Sequence, residues 1–300
     1  MHRPILAVIT LVHILAAVPK ASANFDLWPH VSDFTPTYNL LSRGQTRRVG
    51  DLPFLSNHHL PSEGPILLSA DNDGVLKPVN DATREDRARA VQLVETLGQS
   101  SRVVTLVNSA RSLPALDSYR GIGVNLVAEH GTVVLPADQS WQKDFDVEGT
   151  DNIRYRIKQI ADRHPGARIE FKDPKNSIAF KHADADENEE MRRAFREMEG
   201  VLQNTRFTLK KVGTGFSEIR HVDVNKGNFV AKLLQSGEFR GGIALGDTEA
   251  DEGMFKAMNQ MGNRRFISVI VSNNLQQPTN AQYRLSSVGD VHEKLYHLVG

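Results

Sequence analysis

The chain has 300 residues, 40% hydrophobic and 24% charged, and its 36 basic side chains balance 36 acidic ones for a formal net charge of +0. That composition is globular, with room for one large or two modest domains, and the neutral balance gives no reason to expect nucleic-acid or membrane-surface binding. The absence of cysteine excludes disulfides, thiolate metal sites and Cys nucleophiles, so any metal ligands are oxygens or His nitrogens. Met1-His2-Arg3 precede an almost continuously apolar run over residues 5–18, and Lys20-Ala21-Ser22-Ala23 follow it. A short basic start, an apolar stretch too short to span a bilayer and an Ala-x-Ala site form the pattern of a secretory signal peptide. Cleavage after Ala23 is expected, with a secreted product and no stable membrane anchor. A retained anchor is the alternative, and the shortness of the run speaks against it. Residues 24–63 have scattered Pro, Ser, Asn and His and no sustained period, so they read as an extension that packs over the core or stays partly loose.

From residue 66 the texture changes. Ile66-Leu67-Leu68-Ser69-Ala70 is suited to one buried parallel strand, and it breaks into Asp71-Asn72-Asp73-Gly74. Two carboxylates one residue apart repel each other unless a cation or proton intervenes, although Asp, Asn and Gly are also ordinary turn formers. Residues 83–97 place Ala88, Val91, Leu93, Val94 and Leu97 at helical spacing behind a Thr83 cap, with Asp86 three residues on. Residues 102–107 are a second buried strand, ending in Asn108-Ser109-Ala110-Arg111 and completing a right-handed βαβ unit.

Residues 124–134 read as a hairpin through Glu129-His130-Gly131, and 152–163 as a helix. Residues 167–172 and 177–181 alternate like antiparallel strands, 189–201 form a charged amphipathic helix, and 206–211 with 215–220 make another strand pair. The doubly wound texture then returns. A helix over 225–234 opens on Asn225-Lys226-Gly227, and a strand over 242–245 leads through Gly246-Asp247-Thr248-Glu249 to a helix over 251–258. A strand over 266–271 and a helix over 288–298 close the chain. The predicted class is α/β: a Rossmann-like parallel-sheet core over 64–117 and 221–300, interrupted by an inserted α+β cap over 118–220.

Four strand ends or helix starts carry polar groups: Asp71 with Asp73, Ser109, Lys226, and Asp247 with Asp251. The carboxyl edges of a parallel sheet face one way, so groups far apart in sequence can converge there. Carboxylate oxygens from two strands suit a hard ion such as Mg²⁺, and a lysine and a hydroxyl beside them donate to charge on a phosphoryl group. Taken singly, Ser109 could be a turn hydroxyl, Lys226 a surface lysine, Asp247 an N-cap and Asp251 a first-turn acid. Their order selects the chemistry.

That order, DxDG, then a strand ending in Ser, then Lys, then GDxxxDE, resembles the haloacid dehalogenase superfamily of phosphotransferases and, within it, the trehalose-6-phosphate phosphatase family. Val127-Ala128-Glu129-His130-Gly131, Ile169-Glu170-Phe171-Lys172, Ser177-Ile178-Ala179-Phe180 and Val224-Asn225-Lys226-Gly227 add to the likeness, which covers residues 66–258. The resemblance implies Asp71 as a nucleophile forming an aspartyl-phosphate and Asp73 as the acid, then the base. It implies Mg²⁺ held by Asp71, the main-chain carbonyl of Asp73 and Asp247, with Ser109 and Lys226 holding phosphoryl oxygens. Asp251 would orient Lys226 or a metal-bound water. Arg111 either reaches substrate or is a surface arginine. Glu129, His130, Glu170 and Lys172 match positions that read sugar hydroxyls, or else form a polar strand face.

The chain departs from the family pattern at Asn72, usually aromatic or aliphatic, and at Val75, usually Thr. Ala110 replaces a Gly, and Thr248 an Asp, which puts a contact around the metal in question. The first reading is a Mg²⁺-dependent phosphatase that releases trehalose from its 6-phosphate. The others are a phosphatase for sucrose phosphate or a glycosyl-phosphoglycerate, and a secreted sugar-phosphate binder with a weakened site. The implied partner is a small-molecule sugar phosphate, and a monomer is expected.

Overall fold

The computed structural model describes residues 50–51, 60–61, 63–139, 143–144, 149–164, 166–171, 177–182, 188–213 and 215–299. The expected signal peptide, most of the extension and Lys172 lie outside them. Among the described residues no helix is long and apolar enough to cross a membrane.

In chain order the elements are β1 (Gly50–Asp51), β2 (Ile66–Ala70), α1 (Arg84–Gly98), β3 (Val103–Asn108), a 3₁₀ turn (Leu113–Tyr119), β4 (Asn125–Ala128) and β5 (Val133–Leu135). Then come β6 (Lys143–Asp144), α2 (Thr150–Arg163), β7 (Ala167–Phe171), β8 (Ser177–His182), α3 (Glu189–Leu202), β9 (Phe207–Gly213) and β10 (Phe216–His221). The chain continues with α4 (Lys226–Gln235), β11 (Gly241–Gly246), α5 (Glu252–Gln260), β12 (Phe266–Val271), β13 (Tyr283–Leu285) and α6 (Val288–Val299).

The main sheet runs β1-β13-β12-β11-β2-β3-β4-β5-β6, parallel from β1 through β4 and antiparallel at β5 and β6. Its central strands β2, β11 and β12 are buried along their whole length, as expected where helices cover both faces. Strand periodicity divides them. Ile66, Leu68 and Ala70 pack with Leu93, Val94 and Leu97 of α1 and Val291 and Leu295 of α6. Leu67 turns the other way, to Phe229 and Val230 of α4 and Met254 and Phe255 of α5. Each Ile, Leu, Val, Met or Phe side chain among them contributes about 1.5–3 kcal/mol on burial. The expected start of α1 is present as a capping box: Asp86 N–H donates to Thr83 Oγ1 at 3.1 Å and Thr83 N–H to Asp86 Oδ2 at 3.0 Å.

A second, four-stranded antiparallel sheet runs β7-β8-β10-β9. Ile153, Ile157 and Ile160 of α2 and Met191, Ala194 and Met198 of α3 fall at helical spacing and share a core with Ile178 and Ile219 of that sheet. This is the mixed block the sequence predicted. The hairpin over 124–134, placed in that block by its pattern, pairs otherwise: β4 lies parallel to β3 and β5 folds back beside it, so both extend the main sheet. β1 and β13, too short to carry a periodic signal, complete its far edge.

α4 and α5 approach so closely that a Cβ on Gly227 would sit 2.3 Å from the Gly253 carbonyl carbon. Gly227→Ala is therefore expected to lower stability by about 1–3 kcal/mol through overpacking. Gly200, exposed in α3 with nothing within 4 Å of an added Cβ, gives the opposite result on the same substitution, a gain of about 0.5–1 kcal/mol. Urea midpoints followed by circular dichroism separate the two, and a neutral Gly227→Ala would contradict the packing.

Candidate active site

The carboxyl ends of β2 and β11 and the first turn of α4 meet in one place. Ala70 is level with Leu245, and the Asp71 N–H extends the ladder by donating to the Leu245 carbonyl at 3.0 Å, which delivers the Asp71 side chain at the sheet's edge. Asn225 caps α4, accepting from Asn228 N–H at 2.8 Å, so that Lys226 becomes the helix's first residue. Lys226 is 1% exposed, with Nζ 2.8 Å from Asp71 Oδ2 and 2.8 Å from Asp251 Oδ1. An ammonium so far from water is held only by such paired carboxylates.

Asp251 is fully committed. Its Oδ2 accepts from the N–H groups of Asp247 and Thr248 and from the Thr248 hydroxyl, each at 3.1 Å, while Oδ1 takes Lys226. Asp247 is not: its Oδ1 is buried with no hydrogen-bond partner among the described residues. Carboxylate oxygens of Asp71, Asp247 and Asp251 lie within 4.8 Å of one another. Gly74, at φ +82°, lets the two loops touch, since a Cβ there would meet Asp247 Oδ2 at 2.0 Å. A buried, partnerless carboxylate oxygen in an all-oxygen donor set suits a hard cation. The residues present thus fit Mg²⁺, with Asp71 and Asp247 as side-chain ligands and Asp251 orienting Lys226.

The charges follow from burial. Burial pushes the Asp71 carboxyl up to about 7 against the pull of Lys226, with Asp251 adding to the rise. Burial, helped by Asp71 and Asp251, likewise takes Asp247 to about 7. For Lys226, burial opposes the charged form, but Asp251 and Asp71 outweigh it and hold the pKa above the ordinary lysine value.

Asp73 has the opposite environment. Its carboxylate pairs with the Lys77 ammonium and takes a two-pronged contact from Arg111, Nε to Oδ2 at 3.0 Å and Nη2 to Oδ1 at 3.3 Å. Partial burial acts upward, yet Lys77 and Arg111 prevail and its pKa lies below the usual carboxylate range. Asn72 explains its own departure from the family pattern: buried beside Val75, its Oδ1 accepts from the Tyr119 hydroxyl at 2.9 Å and its Nδ2 donates to Asp73 Oδ2 at 3.2 Å. Thr248, another of the departures, serves as the cap residue whose hydroxyl binds Asp251.

Ser109 is buried just past β3, its Oγ accepting from Arg111 N–H at 3.1 Å and its carbonyl from His130 N–H at 3.1 Å. Glu129, His130 and Gly131 carry successive positive φ values of 48°, 59° and 102°, a costly conformation for the first two. It aims His130 at the second sheet, where Nε2 lies 3.1 Å from Glu218 Oε2 and Arg220 Nη1 lies 3.0 Å from Nδ1. Glu129 is fully buried. Glu218 and Arg220 were not singled out from the sequence. The available signal was their spacing of two on a strand, which puts both on one face while Ile219 packs into the core on the other. Tyr119 and Lys77 also escaped notice. Glu170 lies on β7 opposite Ala179, and Lys172 is outside the described residues.

A family model described as trehalose-phosphatase matches residues 69–289. The chain is 22% identical over 229 residues to the alpha,alpha-trehalose-phosphate synthase [UDP-forming] B of Dictyostelium discoideum, a match that takes in 74% of the chain and 28% of that relative's length. Among solved structures it is similar to an Aspergillus fumigatus trehalose-6-phosphate phosphatase, with TM-score 0.64 and 24% identity over 82% of this chain and 98% of that one. It is also similar to the C-terminal domain of a C. albicans trehalose-6-phosphate phosphatase, with TM-score 0.68 and 22% identity over 85% and 99%. At such identities the structural likeness speaks for a shared α/β fold.

Metal-free, the site leads to a specific pH dependence. Asp71 and Asp247 rise from 3.8 to about 7 on folding, so the folded state binds protons that the unfolded chain has released. Their contribution to stability is complete below about pH 4 and is lost as pH rises through 7. Asp73, with its pKa lowered, is ionised in both states across that window, while His221, whose pKa burial depresses, pulls the other way below pH 6.5. In chelator, wild type is therefore expected to gain stability between pH 7.5 and 5 relative to the Asp71→Asn/Asp247→Asn double variant, and excess Mg²⁺ to cancel the gain. Parallel urea titrations at the two pH values test it; equal slopes for the two proteins would refute the site's electrostatics.

Proposed function

The chain belongs to the trehalose-phosphatase family, and from that membership we propose that it is a Mg²⁺-dependent sugar-phosphate phosphatase whose substrate is trehalose 6-phosphate. The observation that carries this reading is the Asp71 carboxylate, held 2.8 Å from the buried Lys226 ammonium and beside the partnerless oxygen of Asp247. Asp71 and Asp247 would hold Mg²⁺ together with the main-chain carbonyl of Asp73. When bound, the ion offsets the repulsion between the phosphate and the nucleophile.

Asp71 attacks phosphorus, forming an aspartyl-phosphate as the bond from phosphorus to the sugar oxygen breaks. Asp73 gives its proton to that departing oxygen. It then takes one from a water, whose oxygen attacks the same phosphorus and releases phosphate and free Asp71. Lys226 and Ser109 hold phosphoryl oxygens throughout, and Asp251 keeps Lys226 in line. In the structure Asp73 is paired with Lys77 and Arg111. An arriving phosphate dianion draws both cations to itself, and loss of their field returns the proton that Asp73 needs as an acid. Glu129 and His130 from the main sheet and Glu218 and Arg220 from the second sheet would face the sugar, and Glu170 and Lys172 are carried in this role by the family resemblance alone.

Phosphate release from trehalose 6-phosphate should require Mg²⁺ and stop on chelation. Asp71→Asn should bring it to background, and Asp73→Asn should cost about 10²–10⁴-fold, the usual worth of positioned acid–base catalysis. Activity on sucrose phosphate or a glycosyl-phosphoglycerate alone would reassign the substrate; a wild type inert on all three would end the enzyme reading.

The proposal extends to location. The basic start, the short apolar run and the Ala21-Ser22-Ala23 site support removal of the first 23 residues and secretion. Intact-mass measurement of protein collected from the medium should give a chain starting at Asn24; full-length protein retained with the cells would contradict it.

A further inference from the structure

We infer that the loop from β12 to β13 is a brace for the metal-binding carboxylate, with Gln277 and Arg284 as its positioning residues. The inference rests on the reading of Asp71 and Asp247 as metal ligands given above. Asp247 stands on the bend beyond β11, where the sheet no longer sets the backbone. Its own peptide groups are pinned instead. The N–H on one side donates to Asp251 Oδ2 at 3.1 Å, and the carbonyl on the other accepts from Gln277 Nε2 at 2.9 Å. Bonds on both sides of one Cα fix its φ and ψ, and so fix where the carboxylate with the partnerless oxygen points.

Gln277 can hold that carbonyl only if its loop is rigid, and Arg284 supplies the rigidity. Its side chain is largely buried on β13. Nη1 donates to the carbonyls of Ser272 at 3.1 Å and Asn274 at 2.9 Å, and Nη2 reaches the Gln277 carbonyl at 3.5 Å. One guanidinium thus binds three carbonyls of a segment without regular structure, through charge-assisted hydrogen bonds. The loop grips the acidic turn a second time past Asp251. Glu252 Oε2 accepts from the N–H and the side-chain amide of Asn280, at 2.7 and 2.6 Å. Asp247 and Glu252 bracket the turn, and both are tied to the same loop.

Mg²⁺ needs a near-ideal octahedron at about 2.0–2.1 Å, so small drifts of a ligand are expensive. Outer partners of metal ligands typically carry about 10–100-fold in affinity. Gln277→Leu removes the donor at a half-buried site and Arg284→Met removes the clamp, while Gln276→Leu, exposed and next door, is the control. Isothermal titration with Mg²⁺ alone, without substrate, is expected to show roughly tenfold weaker binding for Gln277→Leu and Arg284→Met, and an unchanged constant for Gln276→Leu. Raising Mg²⁺ should restore phosphate release in Gln277→Leu. Circular dichroism melts check folding; should Arg284→Met unfold, Gln277→Leu still decides.

Affinity within twofold of wild type in folded Gln277→Leu would overturn the brace. So would equal losses in Gln276→Leu, which would make the effect one of loop composition. A wild type that binds no Mg²⁺ would remove the metal reading itself, and the phosphate-release assay distinguishes that outcome from a wrong substrate.

Discussion

Asp71 and Asp251, both buried, would repel each other if Lys226 did not stand between them, 2.8 Å from each. Much of the architecture can be understood as the means of getting that ammonium there. The parallel register of β2 and β11 brings the two acidic loops side by side. The close contact of Gly227 with Gly253 lets α4 and α5 pack tightly enough for the first residue of one to reach the turn leading into the other. Capping by Asn225 and Thr248 starts the two helical segments at the right residues. Three elements from different parts of the chain are thereby tied at one charge.

With Lys226 in place, two carboxyls one residue apart are driven in opposite directions. Asp71 is buried and raised, while Asp73, reached by Lys77 and Arg111, is lowered. Environments that push neighbouring acids apart are how one fold divides labour between them. The division also accounts for Asn72. Its buried amide bridges the Tyr119 hydroxyl and Asp73, accepting from the first and donating to the second. An aliphatic side chain at 72 would leave the Tyr119 hydroxyl buried without that partner.

The second sheet reaches the main one through His130, which connects Ser109 on the core side with Glu218 and Arg220 on the other. Its left-handed backbone is tolerated because those bonds, and that from Glu129 N–H to the Arg111 carbonyl, over-determine it. Ser109 and the pair Glu218 and Arg220 are thus linked within a few bonds.

The sequence by itself determined the elements that carry a period or a cap: the buried strands, the capping box at Thr83, the amphipathic helices α2 and α3, and the order of Asp71, Ser109, Lys226, Asp247 and Asp251 along the chain. It did so because those features are local, written in spacings of two, three and four residues. Only the tertiary structure decided which sheet the hairpin at 124–134 joins, since alternation along a strand says nothing about its neighbour. It alone placed Tyr119, Lys77, Glu218, Arg220, Gln277 and Arg284 around the site. Apart from the strand alternation that puts Glu218 and Arg220 on one face, no period or motif in the sequence marks them. Each acquires a role through a partner that the fold brings near, whether Lys77 four residues from Asp73 or Gln277 thirty residues from Asp247.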